Sequence, residues 1–446
     1  MAVSHATIAP IRFGYGRAPW GSNPRDAGDL FRQLSEGAGA QHRLGPPLPE
    51  RIKMLRDAGR AKRADRESAE AKRLGDLNRD QIISDIAGLL QRRAFGYGFF
   101  ERLASFWADH FSVTGKSLNR VLFVPAFEVE AIRPHVMGNF ADMLVAVTRH
   151  PVMLDYLDQR VSVGPNSRAG RRREQGLNEN LAREILELHT MGVGSSYAQA
   201  DVRELAELLT GYTYHGETGA FRFVENRAEP GAETVLGRTY GRGKPDPGEA
   251  EQALRDIAAH PETHRHLARK LAVHFTSDTP DQRLVAHLEA AFRDGKGHLP
   301  SVYAALLEHP ASWESFGQKV KQPIDFLASI LRATGWQPEQ MERAQRNQLR
   351  YALRIMNQPL WQAPGPDGWP EAGVEWISPQ GLSARIEIAS KAGQRLARDR
   401  TLDPPGFAEQ VLGDALAPAT AFAIGGAEAR WEGFALLFAS AEFNRR

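Results

Sequence analysis

The chain has 446 residues, 42% of them hydrophobic and 25% charged, which is the composition of an ordinary soluble protein with a large core. Its 56 basic and 54 acidic residues leave a net charge of +2, so we expect no nucleic-acid partner. The chain contains no cysteine, which excludes disulfides, thiolate metal sites and a cysteine nucleophile. No apolar segment has the length of a signal peptide or a membrane span, which predicts a cytoplasmic protein, with the periplasm as the alternative.

Apolar residues recur at helical spacing along most of the chain. A charged, solvated helix is predicted first, over residues 51–73, where acids and bases interleave. Further helices are predicted over residues 82–91, 100–110, 125–148, 180–191, 199–210, 249–260, 263–275, 282–293, 301–307, 324–334, 343–356 and 382–398.

Two segments depart from the helical pattern. Short β-prone runs separated by glycine and proline predict a small hairpin-like excursion over residues 212–240. Residues 358–379 form a loop rich in proline and glycine, whose tryptophans Trp361, Trp369 and Trp376 are expected to seek burial. The fold class is therefore mainly α: one large multi-helix domain over residues 1–446, or two lobes of it.

Residues 178–192 concentrate polar side chains on a predicted helix that ends at a glycine. On a helical wheel, Asn180, Glu184 and Glu187 share one side with Met191 and are flanked by Arg183. The apolar residues occupy the other side. Two carboxylates three residues apart can hold a hard cation or divide acid and base roles. The competing interpretation, which the spacing favours, is pairing of Arg183 with Glu179 and Glu187 along the helix.

Several histidines are candidates for chemistry. His189 falls among the apolar residues of the wheel, which predicts a core histidine with one hydrogen-bond partner. Asp109 and His110 end an aromatic-rich helix, where the histidine could be a base, a metal ligand or a cation at the helix C-terminus. Residues 260–266 include three histidines, but Pro261 is expected to begin a helix there, which favours a surface cluster. A basic loop, residues 168–173, could attract an anionic ligand.

These segments resemble a large bacterial family known as domain of unknown function eighteen hundred. The resemblance spans nearly the whole chain, and its most specific part is the Asn-Glu-Asn…Arg-Glu…Glu-Leu-His-Thr pattern. It is carried by residues 12–16, 106–111, 156–158, 178–192, 197–202, 209–212, 270–271, 364–369, 385 and 440–446.

The resemblance implies a mainly helical protein of a family with many exported members, but it carries no reaction. Two departures from the family pattern are visible. Many members have asparagine in place of Asp109, and many have a His-Asp pair where this chain has Ala228 and Glu229. If that histidine serves a metal in relatives, this chain lacks the ligand or uses Glu229.

Two functions remain as hypotheses. One is a carboxylate- or metal-dependent hydrolase of an envelope polymer or glycan, with or without a divalent cation. Its catalytic residues would be Glu184, Glu187, His110 and Asp109, with Asn180, Arg183 and Trp369 in binding. The other is a non-catalytic scaffold or partner-binding protein of a cell-envelope assembly, in which the polar helix face is a buried structural network.

Overall fold

The computed structural model describes residues 3–40, 44–115, 118–172, 176–314 and 316–446, apart from the side chains of residues 118 and 119. Arg173 of the basic loop lies outside these residues. Within them the chain is mainly α-helical, as predicted. The α-helices are His5–Ile8, Ala27–Gly39, Leu48–Ala64, Ala69–Phe95, Gly98–His110, Leu118–Val121, Val124–Phe127, Phe140–Arg149, Pro151–Tyr156, Asn180–Glu184, Gln199–Leu208, Pro247–Ala258, Pro261–Phe275, Gln282–Asp294, Leu299–Glu308, Ala311–Glu314, Pro323–Thr334, Arg343–Ile355, Pro379–Leu396, Pro404–Leu412, Pro418–Gly425, Arg430–Ala439 and Ala441–Asn444.

Short 3-10 and π-helical segments connect or extend these helices. The π-helical ones are Ala9–Phe13, Glu128–Ile132 and Ile185–His189, and the 3-10 ones are Arg133–His135, Gln159–Val161, Gly170–Arg172, Glu225–Arg227, Pro338–Gln340, Gly373–Trp376 and Gly413–Ala415.

The predicted β excursion is present as two antiparallel strand pairs. Tyr212–Tyr214 pairs with Phe221–Phe223, with Tyr212 opposite Phe223. Glu233–Val235 pairs with Arg238–Tyr240, with Glu233 opposite Tyr240. Gly211, at a φ of +86°, lies between the helix Gln199–Leu208 and the first strand and turns the chain there. The mainly α class with a small β element is therefore confirmed.

Two of the predicted helices are broken in the structure. Residues 51–73 belong to two helices, because Ser68 begins a new one by accepting a hydrogen bond from the Ala71 amide at 3.1 Å. Residues 125–148 are interrupted after Arg133–His135, and the next helix begins where the Asn139 side chain accepts from the Ala141 amide at 2.9 Å. In both cases a polar capping residue begins a new helix inside the segment that the sequence pattern predicts as one.

The buried apolar side chains form two clusters. The first surrounds Trp107, whose indole N–H donates to the Tyr303 hydroxyl at 2.7 Å, and includes Phe13. The second is built mainly from helices after residue 323 and includes Phe326 and Phe438. The division of the chain into one domain or two lobes stays a prediction. Among the described residues, we find no helix that combines the length and the apolar character needed to cross a bilayer.

Buried ion pairs tie distant parts of the chain together. Arg51, which has no exposed surface, binds Asp85 at 2.6 Å. Arg102 binds Asp325 at 2.8 Å, 223 residues away along the chain. Arg102 also donates to the Gly14 carbonyl at 2.8 Å, so this pair holds the N-terminal segment against the helix Pro323–Thr334.

Candidate active site

A cleft lies between the end of the helix Gly98–His110, the start of the helix Pro323–Thr334 and the tryptophan loop, residues 358–379. The tryptophan loop is hydrogen-bonded to the segment that follows the helix Gly98–His110, since the Gly115 amide donates to the Trp361 carbonyl at 3.0 Å. The polar and aromatic lining includes Arg93, Arg102, Asp109, His274, Gln322, Asp325, Gln358, Trp361, Trp369 and Glu371.

Asp109 lies in this cleft, and its carboxyl has an unusual protonation equilibrium. Burial, together with the charge of Glu371, raises the pKa of Asp109 to about 7, although the Trp369 backbone amide opposes this by donating to the carboxylate at 3.0 Å. The carboxyl is therefore partly protonated near neutral pH. Such a group can both donate and accept a proton under physiological conditions.

His274 and Glu371 form a second acid–base pair in the cleft. His274 Nδ1 lies 2.5 Å from Glu371 Oε1, and Lys319 Nζ lies 3.0 Å from Glu371 Oε2. Burial alone would raise the pKa of Glu371, but His274 and Lys319 hold it well below its ordinary value. Burial lowers the pKa of His274 to about 4, so a neutral ring donates to an ionised carboxylate. His274 Nε2 has no hydrogen-bond partner within the described part of the chain.

His110 points away from the cleft, although it follows Asp109 directly. Its ring is buried among aromatic side chains, with the ring of Phe111 at 4.6 Å and that of Trp107 at 5.4 Å. Its Nε2 donates to the His189 carbonyl at 3.1 Å. Burial lowers the pKa of His110 well below its ordinary value, and the nearby charge of Lys270 lowers it further. His110 is therefore a neutral buried ring, and the interpretation of it as a cation at the helix C-terminus is wrong.

His189 is buried, as the wheel predicted, with 1% of its surface exposed. The predicted hydrogen-bond partner is missing, because neither ring nitrogen has one among the described residues. The segment is an α-helix only over Asn180–Glu184 and continues as a π-helix over Ile185–His189. Met191, which the wheel places on the polar side, lies beyond this π-helical turn and is buried.

We expect the free energy of unfolding of the variant His189→Leu to fall less between pH 8 and pH 5 than that of the wild type. Burial lowers the pKa of His189 to about 3, whereas an unfolded histidine binds a proton below about pH 6.5. The neutral ring therefore supports the fold fully above pH 6.5 and loses that contribution as the pH falls toward 3. Between pH 8 and pH 5 the loss is about 2 kcal/mol, which His189→Leu should not show.

The measurement is chemical denaturation of both proteins at pH 8 and pH 5. The exposed His215 provides the control, since His215→Gln should keep the wild-type pH dependence. An equal pH dependence of wild type and His189→Leu would contradict a buried neutral ring.

The polar face of the helix Asn180–Glu184 lies outside the cleft lining. Asn180 is exposed, and Glu184 and Glu187 are half-buried. Arg183 lies 3.2 Å from Glu179 and 3.3 Å from Glu187, so the predicted pairing along the helix is present. Burial raises the pKa of Glu184, and the charges of Glu187 and Asp367 raise it further.

Lys270 and Asp367 connect this helix electrostatically with the cleft. Burial lowers the pKa of Lys270, while the charges of Asp109, Glu371 and Asp367 oppose that effect. Lys270 lies on the helix Pro261–Phe275 midway between His266 and His274. The spacing of four residues places His266, Lys270 and His274 on one face of the helix. This row of titratable residues was the sequence signal that could have predicted His274 as a site residue.

The histidines of residues 260–266 do not form the predicted surface cluster. His264 is 6% exposed and stacks on the ring of Phe292. Burial, together with the charge of Lys270, lowers the pKa of His266 to about 4. Pro261 does begin a helix, as predicted. The side of this helix that faces the protein interior carries His264 and His266.

Glu229, the alternative metal ligand, is engaged by the backbone and side chain of Asn166, at 2.9 and 2.6 Å. The described residues contain no group of three or more histidine, aspartate or glutamate side chains arranged to hold a metal ion.

A family model described as protein of unknown function (DUF1800) matches residues 12–445. No curated protein and no solved structure matches the chain.

Proposed function

The chain belongs to the family of unknown function DUF1800, and from the chemistry of its cleft we propose that it is an acid–base hydrolase of an envelope polysaccharide or related polymer. One observation carries the proposal: the buried carboxyl of Asp109 lines the same cleft as Glu371, whose Oε1 lies 2.5 Å from His274 Nδ1. Burial raises the pKa of Asp109 to about 7, whereas His274 and Lys319 hold the pKa of Glu371 well below its ordinary value. Two carboxyl groups whose environments separate their pKa values are the usual means of dividing acid and base roles.

In the proposed reaction Asp109 is the general acid. Its protonated form donates a proton to the oxygen of the leaving group. His274 accepts a proton from the attacking water at Nε2, because its Nδ1 is held by Glu371. The ionised Glu371 stabilises the imidazolium that forms, so Glu371 acts through His274 and is a positioning residue.

The walls of the cleft favour a carbohydrate-like substrate. Trp361 and Trp369 are half-buried, so each leaves part of its ring available for stacking on the apolar face of a sugar. The Gln322 amide supplies a polar group. Gln358 is buried and holds this wall in place, since its Nε2 donates to Gln322 Oε1 at 2.8 Å and its Oε1 accepts from the Ile324 amide at 2.8 Å. The envelope as the source of the polymer rests on the family resemblance.

The test is the release of reducing ends from a panel of bacterial envelope polysaccharides and soluble peptidoglycan fragments. We expect Asp109→Asn to lower kcat/KM about 10²–10⁴-fold, because asparagine cannot donate the proton. The wild-type rate should fall above about pH 7, where Asp109 loses its proton. The matched control is Asp142→Asn, which removes an exposed carboxylate on the helix Phe140–Arg149.

Two results would contradict the proposal: no cleavage of any polymer in the panel by the wild type, or full activity of Asp109→Asn. Glu184 and Glu187 stay candidates for a second acid–base pair, and Glu184→Gln belongs in the same assay.

A scaffold is the second candidate function. It is favoured by the bonding of Arg183, which also reaches Gln199 at 3.0 Å and so ties two helices together. For a scaffold, Glu184→Gln and Asp109→Asn would lower thermal stability, and the polymer assay would show no activity in any variant.

A further inference from the structure

A separate cavity opens between three helices of the second buried cluster, Pro323–Thr334, Arg343–Ile355 and Pro379–Leu396. It shares no lining residue with the candidate active site. Most of its wall is apolar and is formed by Leu327, Ile330, Leu331, Leu349, Ala352 and Ile388. Apolar walls that face open space lack packing partners, so a cavity of this kind suits an apolar ligand.

The interior and the mouth of this cavity differ in polarity. The aliphatic side chains contributed by the helix Pro323–Thr334 are buried, so they form its floor. The polar and charged lining residues are all exposed or half-buried, so they lie toward its mouth: Gln345, Gln348, Tyr351, Lys391 and Arg395. An apolar interior with a polar mouth is the arrangement that receives an amphiphilic molecule, chain first.

The charged groups at the mouth are both cations. Lys391 and Arg395 line the cavity, whereas the described lining includes no aspartate or glutamate. Both cations follow Ile388 on the helix Pro379–Leu396, at spacings of three and seven residues. This spacing places them on the helix face that carries Ile388 into the cavity wall. The mouth is therefore complementary in charge to an anion.

Arg395 is the better placed of the two cations. Its guanidinium carbon lies 4.1 Å from the centre of the Trp336 ring, and Trp336 also lines the cavity. This contact orients the side chain, which has no acidic partner within the described part of the chain. Lys391 pairs with Glu387 at 2.5 Å, but both side chains are exposed, and such a pair is exchanged at little cost.

We propose that this cavity binds a fatty acid, with the alkyl chain on its apolar walls and the carboxylate at Arg395. A guanidinium matches the two oxygens of a carboxylate. A free fatty acid is favoured over a membrane surface, because the apolar walls are recessed behind the polar mouth, where a bilayer cannot reach them. The site does not depend on the proposed hydrolase activity.

Isothermal titration calorimetry of the full-length protein with decanoate, below its micelle-forming concentration, tests the proposal. We expect saturable binding of one decanoate per chain. The affinity should rise about tenfold for every two methylenes added between octanoate and dodecanoate, because each methylene removes apolar area from water. The neutral 1-decanol should bind about fivefold more weakly, since it lacks the charge-assisted hydrogen bonds, and the cation decyltrimethylammonium should not bind measurably.

The variant Arg395→Gln separates the head group from the chain. It should weaken decanoate binding about fivefold and leave the affinity for 1-decanol unchanged, whereas a general structural defect would weaken both. The matched control is Arg269→Gln, which changes an exposed arginine on the helix Pro261–Phe275, outside the cavity lining. Arg269→Gln should bind both ligands as the wild type does.

The variant Ala352→Leu fills part of the cavity. Ala352 is a buried lining residue, so the larger side chain occupies space that the alkyl chain needs. It should weaken the binding of decanoate and of 1-decanol alike, by about tenfold. Should this variant fail to fold, Ala392→Val takes its place, because Ala392 is also buried and lines the cavity.

The proposal is overturned if decanoate does not bind saturably, if decyltrimethylammonium binds as tightly as decanoate, or if Arg395→Gln or Ala352→Leu keeps the wild-type affinity for decanoate. Light scattering of the free protein tests the other occupant, a second copy of the chain. Tyr351 lines the mouth and is exposed, so Tyr351→Glu should disrupt such a contact. A stable dimer that this substitution converts to a monomer would mean that a second copy covers the cavity, which also overturns the proposal.

Discussion

Replacing Asp325 with asparagine is expected to lower the free energy of unfolding by about 3–5 kcal/mol, because the change leaves buried cations without their shared partner. Asp325 is 4% exposed and bonds Arg102 at 2.8 Å, with Arg93 at 3.6 Å. Burial alone would raise the pKa of Asp325, but Arg102, Arg446 and Arg93 together hold it far below its ordinary value. The carboxylate is therefore ionised wherever the protein is folded.

Chemical denaturation of Asp325→Asn measures this effect directly. Asp142→Asn is again the control, because its pair with Arg255 is exposed and its loss should cost less than about 1 kcal/mol. The same variant should also unfold less steeply in acid, since the stability that an ionised Asp325 contributes above its unfolded pKa is lost as the pH falls. A loss below about 1 kcal/mol would show that the buried cations do not depend on Asp325.

Replacing Gly368 with alanine is expected to destabilise the protein by about 3 kcal/mol and to disturb Asp109. Gly368 has a φ of +83°, which costs an alanine about 1 kcal/mol. A Cβ at this position would lie 2.5 Å from the Asp109 carbonyl oxygen and 2.9 Å from its Cγ. The tryptophan loop would have to move away, and the hydrogen bond from the Trp369 amide to Asp109 would be lost.

Gly194 separates the cost of the positive φ from the cost of the steric contact with Asp109. Its φ is +79°, close to that of Gly368, but a Cβ there meets nothing within 4 Å. Gly194→Ala should therefore cost only the backbone term of about 1 kcal/mol. Loss of the Trp369 amide should also raise the pKa of Asp109, which an isotope-edited NMR titration of the carboxyl can follow. Equal destabilisation by the two substitutions would mean that the loop does not press on Asp109.

The sequence predicted the polar face of the helix at residue 180 well, because a face is a local property. Arg183, Glu184 and Glu187 are half-buried, and Leu181 and Ile185 are buried, even though the helix changes from α to π after Glu184. Periodicity reports which side of one element is apolar, and a single wider turn does not reverse that side. It could not report that His189 lacks a partner, since partners come from other elements.

The candidate site was predicted only in part. Asp109 and Trp369 were both singled out, and they meet in the cleft, 260 residues apart along the chain. His274 and Glu371 were missed. His274 lies on a helix whose sequence shows only ordinary apolar spacing, and Glu371 lies in the loop that was singled out for its tryptophans. Glu184 and His110, which the sequence grouped with Asp109, lie outside the cleft lining.

The sequence by itself determined the mainly helical class, the β excursion and the glycines at which helices end, since these follow from local spacing and backbone preference. Only the tertiary structure decided that Asp109 and Glu371 line one cleft while His110 lies in an aromatic cluster. Both placements depend on contacts with distant parts of the chain, and the burial and charges that result set the pKa of each group.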